Sequence, residues 1–156
     1  MDAPIVQAAR QLARRCSHVF VSTLEAPEGG PDTRVMFNLL RHRAAVLDQG
    51  PAALPSPFQT WLGTNTSSRK VGQLRRDPRV CLYYADTASF EGLALYGRVS
   101  EVLDPAVRAA LWTDEWAGYY PGGLDGGDFT LLHFQPSSGR YYHDLQVTDL
   151  AVEQLA

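Results

Sequence analysis

The sequence predicts an α+β fold, a closed or split β-barrel of about six mostly antiparallel strands with Greek-key character and a few flanking helices. Two observations predict it. Short runs rich in β-branched and aromatic residues are separated by turns that contain glycine and proline, and helical spacing occurs only in isolated segments. The chain has 156 residues, of which 45% are hydrophobic, so it can bury a core as one domain over residues 1–156 without disulfides or metals.

Helices are predicted where apolar residues recur at helical spacing and where end signals flank them. The first covers residues 4–15, and a second, over residues 68–76, is ended by Asp77-Pro78. Asp104-Pro105 starts another helix, with aspartate as N-cap and proline at the first helical position. Residues 44–47 can form a short helical piece, after which prolines require a loop.

Strands are predicted over seven segments bounded by turn residues, at 18–24, 32–39, 58–63, 80–85, 92–103, 129–135 and 139–143. The longest of them contains Gly97 near its middle. A glycine inside a strand usually marks a bulge or a close approach of another backbone. We therefore expect one of these at Gly97.

The most informative segment, residues 61–74, joins an apolar strand to a hydroxyl-rich turn and then to a basic helix. Unpaired amide groups in the first turn of a helix favour an anion, and Ser67 or Ser68 can serve as N-cap. Arg69 and Lys70 add full positive charge. The pattern indicates a phosphate site, and the alternative is an ordinary capped surface helix.

A second signal is Arg34, which is flanked by apolar and uncharged residues in the strand predicted at 32–39. An isolated arginine in such a strand usually meets an anion. With the turn described above, it suggests that two separate elements approach one anionic ligand.

Together these elements resemble the pyridoxamine 5′-phosphate oxidase-like, flavin-binding split-barrel family, in its general-stress-protein branch. The resemblance runs from about Ser17 to Tyr142. It is carried by five stretches in the family's order: 34–36, 64–70, 77–84, 93–99, and 111–123 with its paired tryptophans and Tyr-Tyr-Pro-Gly-Gly.

The resemblance implies flavin mononucleotide (FMN) as cofactor and assigns residues to it in two groups. The strand residues that lie along the flavin, partly through backbone groups, would be Arg34, Val35, Met36 and Asn38. The residues that hold the ribityl phosphate would be Thr64, Ser68, Arg69 and Lys70. These types suit the task, because a phosphate dianion needs several charge-assisted donors.

The resemblance also implies a homodimer in which each of two equivalent clefts takes residues from both chains. A barrel of about six strands has too little interior for a flavin, so the cofactor would lie outside it. Aromatic side chains near the end of the predicted fourth helix suit such an interface, or alternatively fill a gap under a long loop: Trp112, Trp116, Tyr119 and Tyr120.

Departures from the family argue against pyridoxamine phosphate oxidation. Leu39 stands where the true oxidases have a phosphate-gripping lysine, and Gly92 stands near the position of a flavin-contacting glutamine. These smaller or apolar residues are expected to leave an open pocket. No nucleophile with a partner base and no metal-ligand spacing is found, so the catalytic residues are unknown and no metal is expected.

Composition narrows the partners. The net charge is −3, which argues against nucleic acid as the main partner. Cys16 and Cys81 are expected to be reduced thiols. The sequence shows no signal peptide and no apolar run long enough for a membrane span, so we expect a cytoplasmic protein that does not contact membranes.

Two classes of function are consistent with the sequence and with the family resemblance. The first is an FMN-dependent oxidoreductase that moves a hydride or electrons between a reduced nicotinamide or similar donor and a small unidentified substrate. The second is a non-enzymatic flavin-binding stress protein. A third possibility keeps the enzyme and replaces FMN by a deazaflavin or haem, both of which relatives of this fold accept.

Overall fold

Seven antiparallel strands form one sheet in the computed structural model, which describes residues 3–25 and 27–156. The strands are β1 His18–Leu24, β2 Pro31–Phe37, β3 Thr60–Asn65, β4 Arg79–Asp86, β5 Glu91–Glu101, β6 Phe129–His143 and β7 Gln146–Leu150. The helices are α1 Pro4–Arg15, α2 Leu39–His42, α3 Arg69–Arg76 and α4 Pro105–Leu111. Single 3₁₀ turns occur at Ala44–Val46, Asp114–Gly118 and Val152–Gln154.

The strand order is β2-β1-β4-β5-β6-β3, with β7 paired to β6 beyond this path. Neighbours that are distant in sequence, such as β1 with β4 and β3 with β6, confirm the α+β split barrel with Greek-key character. Strands β2 and β3 are the two ends of the path. Helix α2 directly follows β2 and packs on β3, so it bridges part of the gap between the two edges.

The core follows from alternation along the strands and from the apolar face of α1. In β1, Val19 and Val21 are buried while their neighbours face outward. In α1, Val6, Ala9 and Leu12 are buried on one face of the helix. The helix packs on β4 and β5. None of the described helices has the length and apolar character that crossing a membrane requires.

Two predictions about the C-terminal strands need correction. Residues 129–143 form one strand, where Pro136 and Gly139 indicated two. The proline is tolerated because it lies opposite Gly97, where the register between β5 and β6 shifts. Strand β7 was not predicted, because its sequence lacks an alternation of apolar and polar residues. In the structure, four of its five residues are partly or fully exposed.

Gly97 provides a test of the bulge. A Cβ added there would lie 2.1 Å from the carbonyl oxygen of Gln135 and 2.9 Å from the ring of Phe134, whereas one added at Gly72, inside α3, would have no heavy atom within 4 Å. We expect Gly97→Ala to lower the free energy of unfolding by about 2 kcal/mol or more. The matched Gly72→Ala should raise it by about 0.5–1 kcal/mol, since alanine is the better helix former. Urea denaturation of both variants measures the difference, and equal effects would contradict the close approach.

Candidate functional site

A cleft opens in the split between the edge strands β2 and β3. Its volume is about 190 Å³. Its lining residues come from the end of β2 and the start of α2, from β3, from α3 and from the 3₁₀ turn after α4: Met36, Phe37, Leu39, Gly63, Thr64, Asn65, Lys70, Trp116, Tyr119 and Tyr120. The cleft therefore has one polar end, at Thr64 and Lys70, and mostly apolar or aromatic walls.

The polar end is built by the turn between β3 and α3. Lys70 Nζ donates to Thr64 Oγ1 at 2.8 Å, and Thr64 Oγ1 lies 3.4 Å from Ser68 Oγ. Ser68 occupies the N-cap position of α3, but its hydroxyl makes no capping hydrogen bond with the helix. Three of the four predicted phosphate-binding side chains, Thr64, Ser68 and Lys70, therefore lie together at the helix start.

Asp128, the residue before β6, stabilises the turn through hydrogen bonds. One carboxylate oxygen accepts from the Ser67 amide at 2.9 Å, and the other accepts from Asn65 Nδ2 at 2.8 Å. The Thr66 amide donates to the Asp128 carbonyl at 2.8 Å. Because these bonds fix the backbone of the turn, Ser68 does not need its hydroxyl for local structure.

Lys70 is the most unusual cation of the cleft. Burial lowers the pKa of its ammonium, and the nearby Arg34 guanidinium lowers this pKa further. Among the described residues, no carboxylate lies within ion-pair distance of Lys70, and Thr64 is its hydrogen-bond acceptor. A partly desolvated cation without a counter-charge is unfavourable. An anion placed at this end would therefore be stabilised.

Arg34 is engaged inside the protein. Its Nη1 donates to the Val21 carbonyl (3.2 Å), Thr23 Oγ1 (2.7 Å) and the Asp32 carbonyl (2.9 Å). Its Nη2 contacts Gln73 Oε1 at 3.2 Å and Asp32 Oδ2 at 3.1 Å. The anion that Arg34 contacts in the structure is Asp32, a residue of its own strand, and the contact of Arg34 with a ligand stays a prediction. The spacing of Asp32 and Arg34, two residues apart on one strand face, was the signal that sequence reasoning missed.

Arg69 is also paired, although it is exposed. Its Nη2 and Nε lie 2.8 and 3.2 Å from Asp32 Oδ2, and its Nε lies 3.6 Å from Glu25 Oε2. Hydrogen bonds from Gln73 and Arg69 lower the pKa of Asp32. The two arginines assigned to the flavin thus share one carboxylate, whereas Lys70 has none.

The remaining strand residues divide between two faces. Met36 lines the cleft, whereas Val35 points to the opposite side of β2, where it is 55% exposed. Asn38 is fully buried. Its Nδ2 donates to the carbonyls of Ala13 (2.6 Å) and Cys16 (2.7 Å), and its Oδ1 accepts from the Leu40 amide at 3.1 Å. The placement of Asn38 along a flavin needs correction, because this side chain caps α2 and ties it to α1.

Of the two roles considered for the aromatic residues after α4, the structure shows one, filling the space under the loop, and the dimer interface stays a prediction. The rings of Trp112, Trp116 and Tyr120 surround Phe129 at centroid distances of 5.3, 5.9 and 4.9 Å and fill the space under the loop. Burial raises the pKa of Tyr120 to about 12. Tyr119 instead stays exposed, with its ring 6.2 Å from Phe37 at the mouth of the cleft.

The prediction of an open pocket at Leu39 and Gly92 agrees with the structure at Leu39 and disagrees with it at Gly92. Leu39 lines the cleft. Gly92 does not line it: a Cβ added at Gly92 would lie 2.1 Å from the Tyr83 hydroxyl, so the ring of Tyr83 fills that space. The predicted role of Gly92 in leaving room for a donor is therefore wrong.

The sequence model of the pyridoxamine 5′-phosphate oxidase like family matches residues 52–152. The chain belongs to this family. The match includes Thr64, Ser68, Arg69 and Lys70, and it begins after the strand that carries Arg34. Comparison with curated protein sequences gives no match.

Solved structures agree with this family and branch. A protein from Clostridium acetobutylicum, described as related to general stress protein 26 of B. subtilis and of the pyridoxinephosphate oxidase family, is 29% identical over 100% of both chains with a TM-score of 0.79. General stress protein 26 from Bacillus anthracis is 12% identical, with 95% of this chain and 100% of that chain covered and a TM-score of 0.69. A heme binding protein from Mycobacterium smegmatis shares the fold at 17% identity and a TM-score of 0.71, over 99% of this chain and 61% of that chain.

Proposed function

We propose that this protein binds FMN in the cleft between β2 and β3 and acts as an FMN-dependent oxidoreductase on a small substrate that remains to be identified. The observation that carries the proposal is Lys70, a partly buried ammonium with hydroxyl neighbours and no carboxylate partner among the described residues. It lies at the start of a helix, where an anion also gains from the helix dipole.

The residues present fit a phosphate monoester. Thr64 and Ser68 offer hydroxyl groups, and Lys70 offers charge, all within one turn. A phosphate dianion there would accept charge-assisted hydrogen bonds, which are stronger than neutral ones. Arg69 begins the same helix and could join after leaving Asp32, since an exposed ion pair contributes little stability. Arg34 is hydrogen-bonded inside the protein, and its charge helps to lower the pKa of Lys70.

The walls of the cleft fit an apolar ring system. Met36 and Leu39 form one side, and Trp116 and Tyr120 form part of the other. The volume of about 190 Å³ is below the range of roughly 300–1,000 Å³ that is typical of small-molecule sites. We therefore propose that a second copy of the chain completes the cleft. The outer face of β1 and β2 next to the cleft exposes the side chains that such a partner would cover: Phe20, Val35 and Phe37.

Bound FMN would supply the electron-transfer chemistry, which these side chains do not provide. The protein's contribution would be to hold the phosphate through Lys70 and its hydroxyl neighbours and to present an apolar shelf that excludes water. Leu39, where a lysine would stand in the true oxidases, offers no charge for a substrate phosphate. We propose a cytoplasmic location and a substrate other than pyridoxamine 5′-phosphate.

One observation favours a second candidate, the non-enzymatic flavin-binding stress protein. Apart from Lys70, the titratable groups that line the cleft are tyrosines, and burial raises the pKa of Tyr120. The cleft thus offers no side chain suited to acid-base chemistry near neutral pH.

The first prediction concerns the phosphate. Lys70→Ala should weaken FMN binding by about 10- to 100-fold, because it removes a charge-assisted contact. Riboflavin, which lacks the phosphate, should bind both proteins equally. Quenching of flavin fluorescence measures both affinities. Arg75→Ala, on the same helix and paired with Glu101, is the matched control and should change neither, and an equal loss for both ligands would contradict the assignment.

The second prediction concerns assembly. We expect light scattering to give a mass twice that of the 17.2 kDa chain. The interface of such a stable dimer should bury at least about 1,600 Å² in total. Val35→Asp should shift the protein towards monomer and weaken FMN binding, because it puts a charge on the proposed interface. Leu103 is 79% exposed and lies outside β1 and β2. Leu103→Asp is therefore the control and should have neither effect. A monomer that still binds FMN tightly would contradict the shared cleft.

The third prediction separates the enzyme from the binder. If the protein transfers hydride from a nicotinamide donor, NADH or NADPH should bleach the visible band of the bound flavin faster than that of an equal concentration of free FMN. Anaerobic stopped-flow absorbance measures both rates. If neither donor is faster than with free FMN, the nicotinamide-linked oxidoreductase loses its support and the binding function is preferred.

A further inference from the structure

One oxygen of Asp32 is the centre of a charged network beside the cleft. Asp32 Oδ2 lies 2.8 Å from Arg69 Nη2, 3.2 Å from Arg69 Nε, 3.0 Å from Gln73 Nε2 and 3.1 Å from Arg34 Nη2. Four donor nitrogens from three side chains thus converge on a single atom. The carboxylate of Asp32 thus lies between the two arginines and is shared by them.

The two arginines are bound to this carboxylate in different ways. Arg34 is partly buried and keeps the acceptors Val21, Thr23 and Gln73 without Asp32. Arg69 is exposed, and its other carboxylate neighbour, Glu25, lies at 3.6 Å. Exposed ion pairs contribute little stability and exchange readily. Arg69 is therefore the arginine that a competing anion can recruit.

Arg69 also adjoins the polar end of the cleft. It follows Ser68 and precedes Lys70 in the first turn of α3, so the chain places its backbone beside the proposed phosphate site. A phosphate at Ser68 and Lys70 and the carboxylate of Asp32 would compete for the same guanidinium group.

We infer that Asp32 is a specificity-determining residue that competes with the ligand's phosphate for Arg69 and thereby limits the affinity of the site for phosphate monoesters. This inference rests on the phosphate site of the proposed function, but not on the identity of the ligand that carries the phosphate. Arg69 contributes only to ligands that carry enough negative charge to replace Asp32, which favours a dianionic phosphate monoester over a monoanion.

The test replaces the carboxylate by its isosteric amide. In Asp32→Asn the amide oxygen can still accept from Arg34 and Gln73, while the negative charge that holds Arg69 is lost. We expect FMN to bind this variant about two- to fivefold more tightly than the wild type, because an exposed ion pair is worth about 0.2–1 kcal/mol, with riboflavin unchanged. Asp149→Asn removes a carboxylate on β7 that pairs with Arg140 of β6, away from the cleft, and should leave both affinities unchanged.

A double variant shows whether the gain acts through Arg69. Asp32→Asn combined with Arg69→Gln should bind FMN no more tightly than Arg69→Gln alone, because the gain requires the released guanidinium. Should Asp32→Asn fold poorly, Glu25→Gln provides the second measurement. Its carboxylate neighbours Arg69 at a longer distance, so we expect a smaller gain in the same direction.

Inorganic phosphate separates this inference from the flavin proposal. It should raise the thermal midpoint of Asp32→Asn more than that of the wild type, since a ligand stabilises the state that it binds. If it does while neither protein binds FMN, the competition is supported and the flavin assignment fails. If the wild type binds FMN but folded Asp32→Asn binds it equally or more weakly, the competition is overturned. The absence of any phosphate effect in either protein would also overturn it.

Discussion

The cleft depends on the buried side chain of Asn38. Its amide group donates to the carbonyls of Ala13 and Cys16 at the end of α1, and its oxygen accepts from the Leu40 amide at the start of α2. Any of these groups left buried without a partner would cost about 1–3 kcal/mol. Because the end of β2, the end of α1 and the start of α2 are joined at one residue, Met36 and Leu39 keep a fixed position opposite β3. The split is held open at that point, and the cleft lies there.

Three cations near the start of α3 differ in burial and in their partners. This difference separates the side chains that stabilise the fold from the one that would gain most from a bound anion. Arg34 is partly buried and satisfied by carbonyl, hydroxyl, amide and carboxylate oxygens. Arg69 is exposed and paired with Asp32. Lys70 is partly buried with Thr64 as its acceptor. Since the cost of a cation grows with desolvation and falls with each partner, an added anion gains most at Lys70.

Local signals explain what the sequence predicted well. Helix α1, the turn before α3 and the helix start at Asp104 depend on spacing and end residues within a few positions. The turn residues Thr64, Ser68 and Lys70 meet in the structure for the same reason. The roles of Asn38 and Pro136 depend on partners far along the chain, in α1 and opposite Gly97. The family resemblance therefore implied a flavin contact at Asn38, and the sequence indicated a strand break near Pro136. The partner of Arg34 was within reach of sequence reasoning, because side chains two residues apart on a strand share a face.

The position of Phe37 links the proposed ligand site to the proposed dimer. The ring lines the cleft, yet the residue is half exposed on the edge strand, with Val35 beside it on the outer face. Exposed edge strands are normally protected from pairing by charges or bulges, whereas this edge presents apolar side chains. A partner that covers them would also cover the mouth of the cleft. If each ligand contacts both chains, association and ligand binding are thermodynamically linked, and each must strengthen the other by the same factor. The incomplete cleft of one chain is then the reason that the two equilibria are coupled.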